Sequence, residues 1–384
     1  MKTKILLMDD ESIVTKEILS KLNTLVDDWE FIFFNNCANA VKKFDSEFFD
    51  IVITRMEIGA KLLEVVKSRY PNIIRILYSK DSEKEQNLKS TYLAHQQVDS
   101  ITEYEDLQII IGKLLYSRKF INNENLTKLI GSIDYLPTLP DIYFKIEKEI
   151  QNENFSTQKV ASIITEDITL TAKLLQLVNS SFFGLPRKMT NLNEIINFLG
   201  ANIIKSLVVY TKVFTFYNTQ GELKEYIKNI WNHSIKVGRL TKKILAVEKQ
   251  PRLVIDKAFI AGILHDIGKL VLIQLPNYYN NVKSISMQEN ILYQEAEYRL
   301  YGSSHSEVGA YLLGIWGFDD DIVHSVNTHH DISNISQTNP KLSQALFVSN
   351  IIADINEYDD EYIDQINLRK TFFKWIDITR NIFN

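Results

Sequence analysis

The sequence predicts two fold classes in tandem. An α/β doubly wound, parallel five-stranded sheet is expected over residues 1–118, and an all-α domain over residues 135–384. Three observations carry this. Short runs of apolar and aromatic residues alternate with helical spacing as far as residue 118, the pattern of a parallel α/β unit. From residue 136 onward almost every segment has a helical period. Only 13 Gly and 7 Pro occur among 384 residues, too few for a turn-rich barrel or sandwich.

Each element follows in order. Residues 4–8 (KILLM) form a fully buried strand ending in Asp9, Asp10 and Glu11. Residues 12–25 have helical spacing, and residues 30–34 (EFIFF) make the second strand. A helix over 38–44 leads to the third strand, 50–54 (DIVIT). A helix over 61–69 leads to the fourth, 73–78 (IIRILY). A weaker fifth strand falls near 97–101, and residues 106–118 close the unit as an amphipathic helix. Carboxyl ends of parallel strands are where such sheets bind ligands. Here they carry Asp9, Asp10, Arg55 and Ser79. Residues 119–134 are polar and read as a linker or connecting helix. The remainder is a succession of helices with Gly, Pro or Asn breaks.

Composition narrows the function. A net charge of -5 gives no general basic footprint for nucleic acid, so DNA binding is disfavoured. The single cysteine, Cys37, can form neither an internal disulfide nor a thiolate metal cluster, and reads as a small buried apolar residue. The N-terminal MKTKILLMDDES has too short an apolar run for a signal peptide. No segment approaches the ~20 apolar residues of a membrane span. The expectation is a cytoplasmic protein that does not enter a membrane.

The strand, acidic pair, helix and DIVIT strand of residues 1–118 resemble a response-regulator receiver domain, CheY-like, of a two-component system. The resemblance implies Mg²⁺ binding at the acidic pair, matched by Asp9 and Asp10, and a hydroxyl after the fourth strand, matched by Ser79. At the phosphoacceptor position stands Arg55, and at the lysine position Ser100, followed by Ile101. A guanidinium cannot act as the nucleophile for phosphoryl transfer. It can instead satisfy Asp9 and Asp10 in place of the metal. The expectation is a pseudo-receiver that docks or dimerises.

The segments LPTLPDIYFKI, VASIITEDITLTAKLLQLVNSSFFG, WNHS, GILHDIGKLVL, HSEVGAYLLGIWGF and THHD, in that order, resemble HDOD domains, relatives of the HD-type phosphohydrolases. In the catalytic superfamily a His, a His-Asp pair and a late Asp bind a metal. His233, His265 and Asp266 match the first three, and Asn350 falls at the fourth, with Asp354 one turn further on. Imidazole and carboxylate suit Mn, Fe or Zn. A second set, as in HD-GYP phosphodiesterases, would use His305, His329 and His330. The glycine-tyrosine-proline stretch of those cyclic di-GMP hydrolases is missing from THHDISNIS. Lys269, after HDIG, can contact phosphate or pair with an acid. The same residues also fit a structural polar cluster, with His305 capping a helix.

The two resemblances imply a signal-transduction protein that works by binding a protein partner or a cyclic dinucleotide, with a homodimer as one arrangement. No cofactor is the first expectation. A divalent metal at the HD residues, with hydrolysis of phosphodiesters, is the alternative.

Overall fold

The computed structural model describes residues 2–9, 29–70, 73–78, 93–98, 111–112, 129, 139–179, 187–216, 220–331 and 340–353. The expected helix over 12–25, most of the closing helix over 106–118 and most of the linker lie outside them, as do Asp10, Ser79, Ser100, Ile101 and Asp354. Contacts divide the chain into two units, residues 1–144 with 312–318, and residues 145–311 with 319–384.

In the first unit, apolar runs become parallel strands. They are β1 (Thr3–Met8), β2 (Trp29–Phe34), β3 (Ile51–Arg55) and β4 (Ile74–Tyr78), in spatial order β2-β1-β3-β4. Where a five-stranded sheet with a weaker fifth strand near 97–101 was expected, four strands are of full length. The segment Gln96–Val98 (β5) adds only three residues at the β4 edge. Registers such as Ile5↔Ile51 and Ile51↔Ile74 align the carboxyl ends of the central strands. Helices α1 (Cys37–Lys43) and α2 (Met56–Arg69) share one core with Leu6, Met8, Val52 and Leu77. Strand residues alternate between faces. Ile5, Leu7, Ile51, Ile53 and Ile76 therefore face the other way, yet they are equally buried, so both faces of the sheet are covered.

Three residues or elements depart locally from expectation. Helix α2 begins at Met56, directly after Arg55, where a short loop was expected. Gly59 is needed in its first turn: a Cβ there would stand 2.2 Å from the Thr54 side chain. Thr54 is buried and donates from Oγ1 to the Met8 carbonyl at 3.1 Å, tying the ends of β1 and β3 together. Cys37 is half-buried at the start of α1 rather than in the core. Arg75 was not anticipated as a core residue. It is buried on β4 and donates to the Leu93 and Ile73 carbonyls at 2.7 and 3.1 Å, with His95 2.8 Å from Nη2.

Beyond β5 the described elements are helices. They run α3 (Asp141–Ile150), α4 (Thr157–Thr165), α5 (Ile168–Val178), α6 (Leu192–Leu199), α7 (Ala201–Phe216) and α8 (Gly221–Val247). There follow α9 (Arg252–Leu264), α10 (Ile267–Leu272), α11 (Tyr278–Glu289), α12 (Tyr293–Tyr301), α13 (His305–Ile315), α14 (Asp320–Asn327) and α15 (Pro340–Ala353). The 27-residue α8 packs against α9 and α15. It meets α9 backbone to backbone: a Cβ on Gly262 would lie 2.4 Å from Gly238 Cα. That contact brings His233, one turn before Gly238, beside His265, just after Gly262, with ring centroids 5.1 Å apart. Among the described residues no single helix is long and apolar enough to cross a membrane.

Candidate metal centre

Five of the chain's seven histidines gather around one carboxylate, that of Asp266. The helix break between α9 and α10 puts His265 and Asp266 at the centre of the helical unit, 0% and 1% exposed. His233 comes from the middle of α8, His305 from the first residue of α13, and His329 and His330 from the turn after α14. Asp266 Oδ2 accepts from Lys269 at 2.8 Å and lies 3.5 Å from His265 Nε2 and 3.9 Å from His233 Nε2. Asp266 Oδ1 is 3.3 Å from His305 Nε2 and 3.8 Å from His329 Nε2, without the alignment of a hydrogen bond. The two sets expected from the sequence are thus one continuous cluster. They divide into His233, His265 and Asp266 on one side and His305, His329 and His330 on the other, each with donor atoms within 4.8 Å of one another.

The hydrogen bonds fix the tautomers. A carbonyl can only accept, so His265 must donate from Nδ1 to Gly262 O (2.7 Å), and His329 from Nδ1 to Val326 O (2.6 Å). His305 Nδ1 likewise faces the Glu297 carboxylate at 2.6 Å. In neutral rings the lone pairs then sit on Nε2, and all three Nε2 atoms point inward. His305 Nε2 lies 3.3 Å from His329 Nε2 and 3.1 Å from His330 Nε2. Lone pairs that face each other at this distance require a proton or a cation between them. Among the described residues, buried His265 Nε2 and Asp266 Oδ1 have no hydrogen-bond partner. Outer Nδ1–H groups anchored on carbonyls and a carboxylate, with Nε2 free to ligate, are the arrangement of metal-bound imidazoles. The residues fit a divalent ion.

Asn350 stands where the fourth ligand was expected, but its Oδ1 pairs with His233 Nε2 at 2.9 Å. Lys269 takes the second of its two expected roles, pairing with an acid. Glu297, which sequence reasoning missed, is fully buried behind His305. In the first unit, Arg55 reaches Asp9: Nη1 lies 3.4 Å from Oδ1, and both side chains are buried.

Burial pushes the His265 imidazolium down to about 4, against the pull of Asp266. Burial likewise holds His329 and His330 well below their ordinary value. His305 is also disfavoured as a cation by burial, but Glu297 and Asp266 outweigh that and raise it. A pH dependence follows. Between pH 6.5 and 4 the unfolded chain protonates His265 while the folded one does not. Metal-free stability should therefore fall as pH drops through that window, by roughly 3 kcal/mol from this group alone. His329 and His330 add to the same slope. His305 opposes it, because its contribution is present at low pH and lost as pH rises through its folded value. Thermal unfolding in chelator from pH 7 to 4 checks this, and a flat profile would show that the rings are not held neutral.

Comparison with known proteins agrees with the helical architecture. A protein of Treponema pallidum (strain Nichols) that is itself uncharacterised is 23% identical over 245 residues, 62% of this chain and 47% of that one. The chain thus spans about half the length of that curated relative. Among solved structures, an HDOD domain protein of unknown function from Geobacter sulfurreducens shares 22% identity at a TM-score of 0.52, covering 70% of this chain and 88% of that one. A putative phosphohydrolase from Shewanella amazonensis SB2B shares 20% identity at 0.53, covering 68% and 95%. At such identities the likeness is one of fold. The model of the HDOD domain matches residues 136–332, just over half of the sequence, and the chain belongs to the HDOD family.

Proposed function

We propose that this chain is a cytoplasmic signal-transduction protein. In this reading a receiver-like unit that takes no phosphate is fused to an HDOD unit that carries a divalent cation and acts by binding a protein partner. The observation that carries it is the convergence of the His265, His305 and His329 Nε2 atoms on Asp266 at 3.3–3.8 Å. Those four residues would hold the ion, which when bound supplies Lewis-acid polarisation and an activated water. The chain's own contribution is orientation. Gly262 O and Val326 O lock two of the tautomers, and Lys269 neutralises one oxygen of Asp266.

Support for the receiver-like part is the Arg55–Asp9 pair, which puts a cation where the family has a phosphoacceptor and an Mg²⁺. Acetyl phosphate followed by intact-mass measurement is expected to give no phosphoryl adduct, and a stable adduct within residues 1–118 would refute this part. Metal analysis of chain purified without chelator is expected to find stoichiometric Mn, Fe or Zn that His265→Ala abolishes, with no turnover of cyclic dinucleotides or generic phosphodiesters.

A second reading, a metal-dependent phosphohydrolase, is favoured by one feature. Lys269 and His233 keep 17% of their side-chain surface exposed, so an anionic substrate can approach the cluster from their side. Against it, Lys269 is already spent on Asp266, and Asn350 is neutral. Phosphodiester turnover that disappears in His265→Ala would decide for this reading.

A further inference from the structure

Glu297 lies on α12, in the polar run QEAEYRLY, and yet is 0% exposed. Among the described residues three donors hold its carboxylate. Oε2 accepts from His305 Nδ1 at 2.6 Å and from the His305 backbone N–H at 2.9 Å. Oε1 accepts from the Tyr278 hydroxyl. A carboxylate taken fully out of water needs compensating charge as well as hydrogen bonds. Across the His305 ring, Nε2 meets Asp266 Oδ1 and the Nε2 atoms of His329 and His330 within 3.3 Å, a donor set that would hold a cation.

We propose that Glu297 is the positioning residue of the metal cluster: its carboxylate holds the His305 ring and backbone so that Nε2 faces the ion, and makes that nitrogen a stronger ligand. This rests on the metal-binding reading of the HDOD cluster. A carboxylate on the far nitrogen of a ligating imidazole fixes the tautomer and raises ligand basicity, and loss of such partners typically costs about 10- to 100-fold in metal affinity. Tyr278 completes the device by donating to the oxygen that His305 does not use, which fixes the carboxylate's rotamer. A purely structural role, capping the first turn of α13 through the His305 amide, would need only an acceptor oxygen.

The test separates the two roles. Glu297→Gln in the full-length chain keeps the shape and an acceptor oxygen but loses the charge. In Co(II) titrations followed by absorption it is expected to bind about 10- to 100-fold more weakly than wild type, with an altered d–d spectrum. The unfolding temperature of the metal-free chain should meanwhile stay close to wild type. Equal affinity and an unchanged spectrum overturn the inference. A wild-type chain that binds no Co(II) overturns the metal reading together with it. Should Glu297→Gln not fold, the wild-type chain still answers. Long-range ¹H–¹⁵N spectra with Zn(II) are expected to show His305 protonated at Nδ1 and metal-bound at Nε2. Metal at Nδ1, or at neither nitrogen, overturns the proposal.

Discussion

Asp266→Ala is expected to cost about 3–5 kcal/mol of stability and to abolish metal binding, because it removes one partner from a buried charge cluster. Asp266 is 1% exposed, and its carboxyl is held well below the usual range although burial opposes this, since His265, Lys269 and His305 favour the anion. Removing the carboxylate strands Lys269, which donates to it at 2.8 Å, and leaves five imidazoles around the gap. Asp266→Asn keeps the volume and one acceptor, so it should fall between wild type and Asp266→Ala in unfolding temperature. Lys269→Met combined with Asp266→Ala should recover part of the loss, since removing both partners avoids an unpaired buried charge. Denaturant unfolding of these chains together with Lys269→Met alone measures the coupling. A cost below about 1 kcal/mol for Asp266→Ala would mean that the cluster is solvated and gains little from its carboxylate.

How much of this was legible in the sequence varies with the range of the contact. KILLM, DIVIT and IIRILY announced parallel strands because both faces of the sheet are covered, so the runs are mostly apolar instead of alternating with polar residues. The Arg55–Asp9 pair could be foreseen because both residues end neighbouring strands in register. His233, His265 and Asp266 were foreseen by the order of their motifs. That His305 and His329 join the same carboxylate was not, since it depends on how α10 and α13 touch, a contact between segments far apart in the chain. Glu297 was illegible for a different reason. Its neighbour Glu295 is a solvated helix residue, half-exposed, and nothing in the local pattern separates the two. Asn350 was placed beside His233 by the order of the motifs, but position along α15 does not reveal that its Oδ1 would pair with the His233 ring.

The contact that unites the two histidine sets makes the second large prediction. Gly268 is in the first turn of α10, and a Cβ there would stand 2.0 Å from the His305 carbonyl oxygen and 2.7 Å from the Gly309 nitrogen. These are backbone atoms at the start of α13, so no side chain can swing aside, and one helix must move. Interiors resist such insertions at a cost of about 1–3 kcal/mol, and more where backbone is displaced. Gly268→Ala is therefore expected to destabilise the chain by about 3 kcal/mol. It is also expected to weaken metal binding, because displacing α13 carries His305 Nε2 away from its 3.3 Å approach to Asp266. Gly309→Ala is the comparison. Its Cβ would meet Gly268 N at 3.2 Å and the Ile267 side chain at 3.4 Å, contacts that small shifts relieve, so its effect should be clearly smaller. Unfolding temperature and Co(II) affinity, measured together, distinguish the causes. If Gly268→Ala lost stability but bound metal as wild type does, His305 would not depend on the α10–α13 contact. If both properties fell together, that backbone contact would be what turns two histidine sets into one centre.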